Sequence, residues 1–205
     1  MKWLMAVLAG LAVSFPASAE EIAPDAMVRN VANEVLDVVR KDKDIQAGNA
    51  RKAVELVEAK VLPNFNFSRM TSLAVGKDWR QASPAQQKAL IEEFRTLLVR
   101  TYSKALTEYR DQAIDYKPLK MQPGDTDVTV RTEIRQSGAK PVQIDYSLEK
   151  TDRSWKVYDI SVSGVSLVTN YRSSFAEQIS AGGVDGLIRS LRGKNQSDDA
   201  GAKKK

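Results

Sequence analysis

"DVTVRTEIRQSGAKPVQIDYSLEKTDRSWKVYDISVS", residues 127–163, changes polarity at almost every step. Val128, Val130, Thr132 and Ile134 fall on one face of a first segment, with Thr129, Arg131, Glu133 and Arg135 on the other. "SGAK" turns the chain, and Val142, Ile144, Tyr146 and Leu148 then alternate with Gln143, Asp145, Ser147 and Glu149. "TDRS" turns it again into "WKVYDISVS". A period of two with short turns predicts an antiparallel meander with one apolar and one wet face. "QAIDYKPLKM" (112–121) adds a strand before it, and Pro118 puts that strand at an edge.

Upstream the period is 3.6. Met27, Val28, Val31, Val35, Val38 and Val39 make an apolar stripe from Pro24 to Lys41. Ala53, Val54, Val57 and Val61 repeat it over 49–62, ahead of Pro63. "FNFSRMTSLAVG" (65–76) reads as a shorter helix ending at Gly76. The strongest start is Ser83-Pro84, with Gln86 completing an S-x-x-Q capping box. Leu90, Ile91, Phe94, Leu97, Leu98, Tyr102, Ala105, Leu106 and Tyr109 follow at helical spacing. That stripe is wide enough to face several neighbours or a cavity.

Downstream, Gly164-Val165-Ser166 resembles the start of a nucleophile elbow. The second glycine of that motif is replaced by Val168, and the chain contains no histidine to serve as base. The simpler reading is a bend at Gly164 and a helix cap at Ser166. Leu167, Val168, Tyr171, Phe175 and Ile179 then form one helical stripe up to Gly182-Gly183. Val184, Leu187, Ile188 and Leu191 form another before Gly193. One apolar sheet face and several amphipathic helices predict an α+β fold. The expected form is a curved four-stranded antiparallel sheet with helices packed on one side. Beneath the helices lies either core or an enclosed apolar cavity; periodicity does not choose between them.

The ends have their own character. Lys2, the apolar run "WLMAVLAGLAVSF" and "ASA" at 17–19 read as a signal peptide, 1–19, cleaved after Ala19. The net charge of +5 falls by one with Lys2. Residues 20–192 are then expected to form a single α+β domain, and 193–205 a disordered basic tail. Export without cysteine suits a bacterial periplasm. Lacking His and Cys, the chain lacks the usual ligands of zinc, copper, haem and iron–sulfur sites. It has no calcium-loop motif, dinucleotide fingerprint or Walker loop, so neither metal nor cofactor is expected. Export likewise makes a nucleic-acid partner unexpected, despite the basic balance.

Two stretches carry a resemblance: "VLPNFNFSRMTSLAVGKDWRQASPAQQKALIEEFRTLLVRTYSKAL" (61–106) and "WKVYDISVSGVSLVTNYRSSF" (155–175). The chain resembles the MlaC family, also called toluene-tolerance proteins, over nearly its whole mature length. The resemblance implies a non-enzymatic periplasmic carrier of phospholipid. It implies partners too: an outer-membrane lipoprotein complex and an inner-membrane ABC-type complex with an MCE-domain protein. Shuttling between them would support outer-membrane lipid asymmetry.

With that implication, the facing argument gives cavity walls from the sheet (Val128, Val130, Ile134, Val142, Ile144, Tyr146) and from the helices (Phe94, Leu97, Leu98, Tyr102, Leu167, Val168, Tyr171). Arg172 is the candidate for the headgroup phosphate. Two full acyl chains imply a volume near about 1,000 Å³. Two rivals stand beside the carrier. One is a cone-shaped isomerase or hydratase with an Asp/Tyr site drawn from Asp115-Tyr116, Asp145-Tyr146 or Tyr158-Asp159. The other is a periplasmic chaperone with a shallow apolar groove.

Overall fold

Alternating polarity becomes an antiparallel sheet in the order β1-β2-β3-β4-β5 in the computed structural model. The structure describes residues 22–202, with side chains up to 197; the expected signal peptide lies outside the described residues. The strands are β1 (Ala113–Tyr116), β2 (Asp127–Arg135), β3 (Val142–Lys150), β4 (Trp155–Val162) and β5 (Val165–Ser166). β1 stops before Pro118 and forms one edge. The register Val128↔Leu148, Val130↔Tyr146, Thr132↔Ile144 and Ile134↔Val142 puts the expected apolar residues on one face.

The sheet has five strands rather than four. Ser163 (φ 50°) and Gly164 (φ 83°) are both left-handed, the geometry of a two-residue hairpin turn. They fold Val165 back onto Val162. β5 is only two residues long, too short for alternation to reveal. β4 also carries a bulge: Ser147 pairs with Asp159 but Leu148 pairs with Val157, so Tyr158 is the extra residue. The bulge restores phase, putting Val157, Ile160 and Val162 on the same face although their spacing is three and then two.

The helices are α1 (Pro24–Lys41), α2 (Lys43–Gln46), α3 (Ala50–Leu56), α4 (Phe67–Val75), α5 (Pro84–Thr107) and α6 (Leu167–Ala202). α1 carries Asp25 in its first turn and Arg40 and Lys41 in its last, matching the helix dipole. The capping box of α5 is present: Gln86 N–H donates to Ser83 Oγ, and Ser83 N–H donates to Gln86 Oε1. The expected helix over 49–62 is interrupted. It is α-helical to Leu56, π-helical over Val57–Val61 and 3₁₀ over Leu62–Asn64, where Pro63 removes a donor.

The two expected closing helices are the arms of α6, separated at Gly183 (φ 66°, ψ −175°). The second arm does not stop at Gly193. Asn195 is buried and donates to the carbonyl and the carboxylate of Glu93, which also pairs with Arg192 at 2.9 Å. Residues 193–202 are therefore helix rather than the expected disordered tail, and 203–205 lie outside the described residues. The apolar spacing ends at Leu191, so the extension rests on polar contacts that periodicity does not register.

The packing forms separate cores. Met70, Leu90, Phe94, Leu97, Val168, Phe175, Leu187 and Leu191 knit α4, α5 and α6 together. Val28 of α1 covers Val128, Val130, Leu148, Trp155 and Val157 on the sheet. Val35, Val39, Ile45 and Leu56 join α1, α2 and α3. Phe65 packs against both of the first two groups, and its backbone bridges Val157.

Candidate functional site

The sheet's apolar face is used in two ways. Val128, Val130, Leu148 and Val157 are filled by α1. Further along the same face, Ile144, Tyr146, Ile160 and Val162 line an open cavity. Register brings these four together, since Ile144 pairs with Val162 and Tyr146 with Ile160. The opposite wall comes from α5 (Leu98, Val99, Tyr102, Ser103, Leu106) and from Val57, Val61 and Leu62. Phe65, Phe67, Met70 and Leu167 complete it.

The cavity measures about 340 Å³. That lies near the lower end of ordinary ligand pockets, roughly 300–1,000 Å³, and below the volume expected for two full acyl chains. Tyr102 (41% exposed) and Val162 (36%) reach solvent, so the mouth lies between α5 and the end of β4. No charged side chain is among the lining residues. The polar atoms are hydroxyls. Burial pushes the Tyr146 phenol up from its ordinary value, against the smaller opposing pull of a hydrogen bond with Thr132. Ser103 is 3% exposed, and among the described residues its Oγ has no hydrogen-bond partner.

Of the residues expected to line a cavity, Leu98, Tyr102, Ile144, Tyr146 and Leu167 do. The others do not. Phe94, Leu97, Val168 and Tyr171 belong to the helical core, where Phe94 meets Tyr171 and Phe175 edge-on at 5.1 and 5.2 Å. Val128 and Val130 are covered by α1. Ile134 and Val142 pair one step past Ile144, at the end of the sheet beyond the cavity, and Val142 is 38% exposed. Facing alone does not say which neighbour fills the space. Arg172 is exposed, donates from Nε to the Leu73 carbonyl, and sits in a separate shallow cleft with Lys77 and Arg80. It is not at the cavity. Ile160 and Val162 were missed, although the three-residue gap between Val157 and Ile160 signals the bulge that turns them inward.

The Asp/Tyr pairs take other roles. Asp115 pairs with Arg135 at 2.7 Å, and Asp145 lies 3.9 Å from Arg131. Asp159 accepts hydrogen bonds from Ser166 Oγ and from the Ile160 and Val168 amides. Ser166 Oγ in turn accepts from the Thr169 amide at 3.0 Å, as a helix cap does. Among the described residues no cluster of Asp and Glu could hold a metal ion, and no helix is long and apolar enough to cross a membrane.

Comparison with known proteins agrees with this geometry. The model of the MlaC protein family matches residues 29–193. The chain is 24% identical over 197 residues to the intermembrane phospholipid transport system binding protein MlaC of Haemophilus influenzae, covering 93% of this chain and 92% of that protein. It is 26% identical over 164 residues to the toluene tolerance protein ttg2D of Pseudomonas putida, covering 79% and 75% respectively. A phospholipid-binding protein from Ralstonia solanacearum, solved in complex with a phospholipid, is 40% identical with a TM-score of 0.80, covering 85% of this chain and 98% of that one. With the family model matching residues 29–193, most of its length, the chain belongs to the MlaC protein family.

Proposed function

We propose that the protein is a periplasmic phospholipid carrier. It takes lipid from one membrane-associated complex and delivers it to another, without covalent chemistry. The observation that carries this reading is the open cavity whose walls are apolar apart from a few hydroxyls. An acyl chain in water costs roughly 0.8 kcal/mol per methylene. A membrane already shelters the chain by about the same amount, so a carrier needs only a dry apolar space of comparable quality. Acid, base and metal are not required. The phospholipid held by the Ralstonia solanacearum relative supports the same ligand class.

The expected export signal at 1–19, with cleavage after Ala19, supports a periplasmic location for the mature chain. Its donors and acceptors there are an outer-membrane lipoprotein complex and an inner-membrane ABC-type complex with an MCE-domain protein. Shuttling between them supports outer-membrane lipid asymmetry.

The test is native mass spectrometry of the protein purified from its own periplasm. A phospholipid adduct at near one equivalent is expected. Fully folded protein that carries no lipid, and extracts none from vesicles, overturns the reading. Preferential binding of unfolded polypeptide would favour a chaperone instead.

A further inference from the structure

Val99 belongs to two hollows. It lines the apolar cavity. It also lines a groove of about 410 Å³ between α3 and α5, together with Val54, Glu58, Glu92, Arg95 and Arg100. Among the described residues it is the one shared by both linings. Val99 is only 6% exposed, so its isopropyl group is enclosed and forms a partition.

The two sides differ in chemistry. The cavity side is apolar. The groove side is charged: Arg95 faces Glu58 at 3.7 Å. The segment Val54–Val61 contributes to both sides, with Val54 and Glu58 on the groove and Val57 and Val61 on the cavity. The change from α- to π-helix after Leu56 falls within this seam.

We propose that Val99 limits how far an acyl chain can run inside the cavity, and so sets the chain length of the bound lipid. This rests on the carrier reading above. A tail advancing along α5 meets Val99. Beyond that side chain lie ion-paired groups and water, where further methylenes gain no shelter. The cavity volume of about 340 Å³ makes every added methylene felt.

The prediction follows from side-chain volume. Val99→Ala removes two carbons and makes room for about two more methylenes on the cavity side. Val99→Ile adds one carbon and removes room for about one. The protein is stripped of lipid and offered vesicles holding equal amounts of fourteen-, sixteen- and eighteen-carbon phosphatidylethanolamine. Native mass spectrometry then reads the bound species. The wild-type protein should select one length, V99A should shift that preference upward by about two carbons, and V99I should shift it down. Unchanged chain selection in both folded, lipid-loaded variants overturns the assignment. Should V99A fail to fold, V99I alone decides, because its added methylene can extend into the open cavity that Val99 lines rather than into a filled core. If the wild-type protein takes up no lipid at all, the carrier reading itself fails, a different result from unaltered selection.

Discussion

Ser166 Oγ donates a hydrogen bond to Asp159 Oδ2 at 2.5 Å, while the other oxygen of that carboxylate accepts the Ile160 and Val168 amides. The last residues of β4 and the first turn of α6 are thereby joined through one side chain. Asp159 satisfies a helix-start amide that would otherwise lack a partner, and Ser166 satisfies another at Thr169. A serine so engaged is a cap.

Replacing Ser166 with Ala should therefore cost about 1 kcal/mol of stability in urea unfolding and leave lipid binding intact. Asp159→Ala removes the acceptor of several donors at once and should cost more, about 2–3 kcal/mol. A folded S166A protein that had lost its lipid would overturn the capping role.

Ile144 and Val142 are two residues apart on the same face of β3, yet one lines the cavity and the other is exposed. Ile144→Asp sets a carboxyl against acyl chains. Its burial should cost at least about 2 kcal/mol, which lowers lipid affinity by more than tenfold. Val142→Asp should change affinity little. Equal losses in the two variants, read by vesicle extraction, would contradict the placement of the cavity.

Thr96, Thr101 and Thr107 on α5 each donate to a carbonyl of the preceding turn. Ser103 on the same helix does not. A buried hydroxyl without a partner costs roughly 1–3 kcal/mol, so Ser103→Ala should raise the thermal unfolding midpoint of the lipid-free protein. A lower midpoint would mean that the hydroxyl has a partner in solution.

Arg69 stands over the Tyr158 ring at 3.6 Å and reaches Glu149 at 2.7 Å and Asp127 at 2.8 Å. Asn66 joins it on Glu149 and also caps α4 by accepting the Arg69 amide. Together they tie α4 to the sheet beside the bulge. Arg69→Met should cost about 1–3 kcal/mol, since charge-assisted bonds are lost and, among the described residues, Glu149 keeps only Asn66. Chemical denaturation measures this, and an unchanged midpoint would refute the tie.

Asp42 accepts the Ile45 and Asp44 amides and pairs with Lys52, which holds its carboxyl below the ordinary aspartate value of 3.8. A depressed folded-state pKa gives stability that is present above the unfolded value and lost as pH falls through the folded one. The unfolding midpoint should therefore drop on acidification below about 4, and Asp42→Asn should flatten that drop. Parallel acid limbs in the two proteins would exclude the contribution.

Much of this was legible before any coordinates. Alternation in β2 and β3 predicts the meander and its register, because one face must be buried. The Ser83 capping box and the Gly183 break mark their helix boundaries for stereochemical reasons. Division of the apolar face was not legible. Val130 and Ile144 look alike in a strand pattern, yet α1 covers one and the cavity opens on the other. That outcome depends on where a distant helix lands. The polar contacts beyond Gly193 and the π-helical turn escape for a related reason, since neither has an apolar period.

The division of the sheet has a further consequence. Val28 and Trp155 supply ballast of the protein's own at one end of the sheet, so the meander keeps its footing whether or not the other end is occupied. A vessel built this way can make its return trip empty without coming apart.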